Sequence, residues 1–237
     1  MLKTYTKKLD YSYAVGVYPT LELLRNRSKE IEKIILDERG NKNVGLDEIV
    51  ECCRKEEINT ETNRTLVHKL AKSENAYCLG VFKKYRRDVE TAQNHVVLVN
   101  PSDMGNLGTI IRTMLAFDTV NLALVKPACD IFDPKVIRAS MGALFKLNFE
   151  YFASFVDYKN RFSNNIYTLR TNGGTDIDTC RFEKPFSLVF GNEGAGLPPE
   201  YDDIGRGIKI PQSKNVDSLN LAIAVGVALH HSYSQKE

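Results

Sequence analysis

From residue 96 to the end of the chain, short apolar runs and helical patterns alternate strictly. Residues 96–100, 121–125, 147–152, 166–171, 186–190 and 207–210 read as strands, and 109–117, 134–144, 156–162, 198–203 and 219–231 read as the helices between and after them. Strands separated by helices make a parallel sheet covered on both faces. The fold class is therefore α/β. Sites in such sheets gather at the carboxyl ends of the strands, and here three strand ends carry unusual loops.

The first loop runs from Asn100-Pro101 into 109–117, with Gly105 and Gly108 before the expected helix, Asn106 just ahead of it and Arg112 on its second turn. Arg112 stands among Ile110, Ile111, Met114 and Leu115, so a stem lying over apolar surface is one reading and a functional cation the other. The second loop is Phe190-Gly191-Asn192-Glu193-Gly194-Ala195-Gly196. Three glycines within six residues mean a sharp turn or a close approach to the backbone. The order Gly-x-x-Gly-x-Gly does not match the dinucleotide fingerprint, and no Lys with Ser or Thr completes a P-loop. Glu193 is a lone carboxylate in that turn. The third loop leads from Ile210-Pro211 through Asp217 and Ser218 into a helix whose residues 219–229 are apolar except Asn220 and Gly226. Asp217 and Ser218 are good N-cap residues. A helix apolar nearly all round is expected to be covered on several sides. Asn220, entering it, needs a buried partner or lines a site.

The first 88 residues form a smaller α/β unit. A helix from Pro19, a strand over 31–36, helices over 46–54 and 62–72 and a strand over 77–82 are expected, with a domain boundary in the polar stretch 89–94. Before that stretch stand Lys83-Lys84-Tyr85-Arg86-Arg87. Four cations around one ring can grip phosphates and stack a base, but a five-residue cluster is more simply a solvated linker. A net charge of +2 does not by itself announce a nucleic-acid binder. Five cysteines, at 52, 53, 78, 129 and 180, form no Cys-x-x-Cys pair and read as reduced thiols; with adjacent His230 and His231 they offer no metal site. No apolar run approaches a membrane span and the N-terminus lacks a signal-peptide core, so a cytoplasmic protein is expected.

The three loops, in this order, resemble the motifs of the SPOUT superfamily and, within it, the SpoU/TrmH family of RNA 2'-O-ribose methyltransferases. Asn106-Leu107-Gly108-Thr109-Ile110-Ile111-Arg112 is similar to the first motif, Phe190 to Gly196 to the second, and Ile210-Pro211 with Ser218-Leu219-Asn220 to the third. Arg138-Ala139-Ser140-Met141-Gly142-Ala143 is similar to the family's connecting segment. Asn100 and Asp118 depart from it, where Asp and Gly are usual. The likeness spans about 95–237. Residues 1–88 more loosely resemble the RNA-substrate-binding domain, akin to a ribosomal-protein fold, often fused ahead of it.

The resemblance implies a deep trefoil knot, a homodimer with the site at its interface, and S-adenosylmethionine as cofactor, with tRNA or rRNA as substrate and no metal. It places Arg112, Asn106, Glu193, Ser218 and Asn220 around the chemistry, and Thr171, Gly191, Ile210, Pro211 and Leu219 at the cofactor. An RNA-binding protein without catalysis on the same knotted fold is the alternative. Its mark, loss of Arg112, Glu193 or Asn220, is absent.

Overall fold

The computed structural model describes residues 2–40, 44–72 and 75–235. In chain order they form β1 (Tyr11–Val15), α1 (Val17–Arg27), β2 (Ile31–Leu36), α2 (Val44–Lys55), β3 (Thr60–Thr62), α3 (Arg64–Ala71), β4 (Cys78–Lys83), β5 (His95–Val99), α4 (Met104–Ala116), β6 (Asn121–Val125), α5 (Pro134–Ala139), β7 (Asn148–Phe152), α6 (Phe155–Arg161), β8 (Asn165–Leu169), β9 (Thr175–Asp176), β10 (Phe186–Phe190), β11 (Arg206–Lys209) and α7 (Leu221–Ser234). Two compact units result: Met1–Tyr85 with Asp130–Lys146, and Arg86–Cys129 with Leu147–Glu237.

The first unit is built on a four-stranded sheet in the order β1-β4-β2-β3, in which only β2 and β3 run parallel. Successive strand residues face opposite ways, and β2 uses this directly. Ile35 packs with Val67 and Leu70 of α3, while its neighbour Ile34 packs with Leu21, Leu24 and Ile49 of α1 and α2. Burial in that second cluster pushes the Cys53 thiol up to about 11 and the Cys78 thiol up to about 12, which leaves both protonated and unreactive. β1 and β3 were absent from the sequence expectations.

The segment 130–146 differs from the sequence reading, which gave it to the C-terminal part with one helix over 134–144. α5 stops at Ala139, because Met141 and Gly142 take left-handed backbone with φ of 53° and 82°. Gly142 has no substitute there. A Cβ would stand 2.7 Å from Glu22 Cβ and 2.9 Å from Pro19 Cα. The basic cluster also differs from a solvated linker. Lys84 Nζ donates to the Lys7 carbonyl (3.0 Å) and lies 4.8 Å from the Tyr5 ring, and the Tyr85 ring packs edge-on against Phe132 with Arg27 above it at 4.7 Å. The break between units comes after Tyr85, ahead of 89–94. Val89 is 3% exposed within the second unit's core, and the Glu90 N–H donates to Asn121 Oδ1 at 3.0 Å.

The second unit holds a seven-stranded sheet, parallel throughout, in the order β7-β6-β5-β10-β8-β11-β9. β5, β6 and β10 are buried along their whole length, as apolar strands sandwiched between helices must be. Pairing of β5 with β10, in register from His95–Ser187 to Leu98–Phe190, sets the loops that follow these two strands side by side. Only the two-residue β9 lay outside the six expected strands, and 198–203 is a short 3-10 turn, Pro199–Tyr201, rather than a helix.

Candidate active site

The loop after β10 closes on itself through Asn192. Its N–H donates to the Gly196 carbonyl (3.1 Å), the Gly196 N–H donates back (2.9 Å), and its side-chain Oδ1 accepts from the N–H groups of Gly194 and Ala195. A Cβ on Gly191 would sit 2.1 Å from the Gly196 carbonyl carbon, so no larger residue permits this turn. Asn192 also reaches out. Its Nδ2 donates to the Asn100 carbonyl at 2.8 Å in the loop after β5. Asn100 itself has φ 54°, a left-handed conformation that Asn tolerates better than most residues.

Glu193 completes the splice between these loops. Its carboxylate accepts from the Ser102 N–H (3.1 Å), the Ser102 hydroxyl (2.8 Å), the Asp103 N–H (3.0 Å) and Asn192 Nδ2 (3.1 Å). Burial would raise this carboxyl, but the main-chain and hydroxyl donors outweigh it and hold it below the usual carboxylate range. Glu193 is thus an anion already committed to four donors.

α4 begins at Met104, capped by Asp103 Oδ1, which accepts from the Asn106 N–H at 2.7 Å. Asn106 therefore lies in the first helical turn rather than ahead of the helix, and Arg112 lies in the third. The helix at the third loop also starts later than expected. Asp217 and Ser218 do not cap it; Asn220 does, its Oδ1 accepting from the Ala222 N–H at 2.9 Å. The other end of the same amide donates to Asn106 Oδ1 at 3.1 Å, so the polar residue that looked misplaced in an apolar helix is both cap and bridge.

Between these loops lies a cavity of about 470 Å³, walled by 169–172, by 190–197, by Pro199 and Asp202, and by Ile210, Gln212 and residues 217–219, 221 and 224. Of the candidate residues, Thr171, Gly191, Glu193, Ile210, Ser218 and Leu219 are in its lining; Thr171 lines it from the loop beyond β8, not from within the strand. Pro211, Asn106, Asn220 and Arg112 are not in its lining. Arg112 is exposed on α4, with no hydrogen bond or ion pair among the described residues. Arg170, Asn192 and Asp202 line the cavity without having been singled out. Their partners are distant in sequence, and a Gly-Asn-Glu-Gly turn was the one local signal, for Asn192.

Residues 93–230 match the sequence model of the SpoU rRNA Methylase family. The chain belongs to this family. Among the curated relatives, an uncharacterized tRNA/rRNA methyltransferase of Synechocystis sp. is 34% identical over 148 residues, covering 60% of this chain and 53% of that protein. The 23S rRNA (uridine(2479)-2'-O)-methyltransferase of Streptomyces viridochromogenes is 30% identical over 150 residues, covering 60% and 52%. The chain thus spans about half the length of these relatives. The solved structure of an AdoMet-bound rRNA methyltransferase from Sinorhizobium meliloti superposes with a TM-score of 0.81 at 25% identity, covering 96% of this chain and 88% of that one.

Proposed function

We propose that this SpoU-family protein transfers a methyl group from S-adenosylmethionine to a ribose 2'-hydroxyl of tRNA or rRNA, as a cytoplasmic homodimer. The names of the relatives support the substrate class and the AdoMet-bound neighbour supports the cofactor. Among the described residues no helix is long and apolar enough to cross a membrane. The observation that carries the reading is the cavity. Its volume suits a nucleoside-sized ligand. Leu169, Phe190, Ile210, Leu219 and Leu221 provide apolar walls for an adenine ring, and the glycine turn 191–196 forms another part of the lining.

Gly191, Ile210, Leu219 and Thr171 would hold the cofactor, and Pro211, outside the lining, would stiffen the segment that carries Ile210. When bound, S-adenosylmethionine supplies a methyl group made electrophilic by its sulfonium. The chain's own residues have the tasks of orientation and charge. Arg112 would grip an RNA phosphate and stabilise alkoxide charge developing on the ribose oxygen. Asn106 and Asn220, bonded to each other, and Ser218 at the cavity wall would orient the ribose. Glu193, saturated by its four donors, would hold the first two loops in register instead of accepting the proton.

The homodimer would complete the site. α7 leaves Ile223 55% and Val227 37% exposed, although α4 packs on it through Thr113, 3.6 Å from where a Cβ of Gly226 would lie. A second copy would cover that face and bring an arginine to a cavity that Arg112 does not reach within its own protomer. A deep knot would thread the segment leading into α7, and residues 1–88 would select the RNA. Calorimetry with the full chain is expected to show saturable S-adenosylmethionine binding with which NADH does not compete, and labelled methyl should pass to RNA. Saturable NADH binding with none for S-adenosylmethionine would sink the reading; cofactor binding with no transfer to any cellular RNA would favour the non-catalytic RNA-binding alternative.

A further inference from the structure

Arg170, the first residue after β8, is occupied at every level. Its N–H donates to the Ile208 carbonyl at 2.8 Å, and its own carbonyl accepts from the Gly173 N–H at 3.3 Å. Its side chain is 13% exposed. Nη1 donates to Asp202 Oδ1, and Nη2 donates to the Asp202 main-chain carbonyl at 3.3 Å. The guanidinium comes close to Gly207, where a Cβ would stand 2.3 Å from Nη2. Nε is buried with no partner among the described residues. A buried donor left unpaired is unfavourable, so the orientation is imposed by the two contacts to Asp202 and the shelf at Gly207.

Asp202 directly follows the 3-10 turn Pro199–Tyr201, and Tyr201 is 3% exposed, with its ring 5.0 Å from Phe155. Arg170 thereby fastens the strand-end loop 169–172 to the segment that follows the glycine turn, and both segments wall the cavity. An exposed ion pair would be worth little. This one is enclosed on the arginine side apart from the 13% that stays exposed, uses a main-chain acceptor and depends on a fork geometry that lysine lacks.

We propose that Arg170, Asp202 and Gly207 form a latch that fixes the width of the cofactor cavity, with Arg170 as a positioning residue for cofactor binding and no part in methyl transfer. The proposal rests on reading the cavity as the S-adenosylmethionine site. With full-length protein and S-adenosylmethionine as calorimetric titrant, Arg170→Ala is expected to raise Kd about tenfold, a size typical of coupled hydrogen-bonded neighbours. The rate at saturating cofactor and RNA should stay within about twofold, a split between affinity and turnover that general misfolding does not produce. Gly207→Ala, which displaces the guanidinium without touching its charge, should do the same. The double variant Arg170→Ala/Gly207→Ala should be no worse than either single change, and Asp202→Asn, which keeps both acceptors, should bind as wild type does.

Unchanged Kd in folded Arg170→Ala, or fully additive single effects, overturns the latch; so does a lost rate at unchanged Kd, which would put Arg170 at the reacting atoms. Should both cavity-side variants fail to fold, Asp202→Ala at its 56% exposed side chain decides: weaker binding rescued by Asp202→Asn supports the latch, and unchanged binding overturns it. Absence of binding by the wild-type chain overturns the cofactor reading, and the latch falls with it.

Discussion

A guanidinium works through the geometry of its planar fork, and Arg112 stands exposed on α4 with no hydrogen bond or ion pair among the described residues. If it grips phosphate and nascent alkoxide, Arg112→Lys and Arg112→Ala should both keep the thermal midpoint and the cofactor affinity while losing single-turnover methyl transfer by ~10² to 10³. Near-normal rates in Arg112→Ala would make it a surface residue. Glu193 belongs at the same scale with the opposite signature. Removing its carboxylate leaves the Ser102 and Asp103 N–H groups without their acceptor, so Glu193→Ala should lower stability by about 1 kcal/mol or more, and Glu193→Gln should recover part of it. Because its folded pKa is depressed, the stability it contributes is present above the unfolded value near 4.5 and lost as pH falls below it; acid titration of the thermal midpoint, compared with Glu193→Gln, checks this. Glu193 and Asn220 stood out in the sequence as a lone carboxylate in a glycine turn and an amide entering an apolar helix, whereas Asn106 became a candidate only through the family resemblance. Asn192 and Arg170 did not stand out. Asn192 meets Asn100 at a separation of 92 positions, and no local pattern encodes such a pairing.

Elements were legible where burial was uniform. β5, β6 and β10 are apolar throughout and announced themselves, and their alternation with helices was enough to imply a parallel sheet. Boundaries set by left-handed residues were harder, as at Met141 and Gly142, and so was the true start of α7, where the cap proved to be the residue with two partners. One element-level device lies at the opposite end of β5 from the site. His95 is fully buried, with Nδ1 2.7 Å from the Tyr158 hydroxyl and Nε2 2.8 Å from the Glu90 carbonyl, and Tyr158 lies 2.5 Å from Ser187 Oγ on β10. Burial lowers the His95 pKa, outweighing the bond to Glu90. The folded chain therefore refuses a proton that the unfolded chain accepts below ~6.5. Stability is present above that pH and falls beneath it. The thermal midpoint should drop between pH 7 and pH 5, and His95→Gln should flatten the drop; an identical slope in the variant would remove His95 as its cause.

At the scale of the whole molecule, periodicity could supply a parallel sheet and a smaller α/β unit, but not the placing of 130–146 with the first unit. That placing depends on a glycine fitting against Pro19 and Glu22. The exposed apolar residues of α7 make association the next test. Sedimentation should give about twice the chain mass of 26.8 kDa, and Ile223→Glu, a charge placed on the face that a second copy would cover, should yield monomers that have lost methyl transfer. A fully active monomer would refute the shared site. The central claim is settled most directly by mapping ribose methylation across cellular tRNA and rRNA with the protein present and absent. The account predicts 2'-O-methylation that disappears with the protein and returns with the wild-type chain but not with Arg112→Ala; an unchanged ribose map, or a change confined to base methylation, would contradict it.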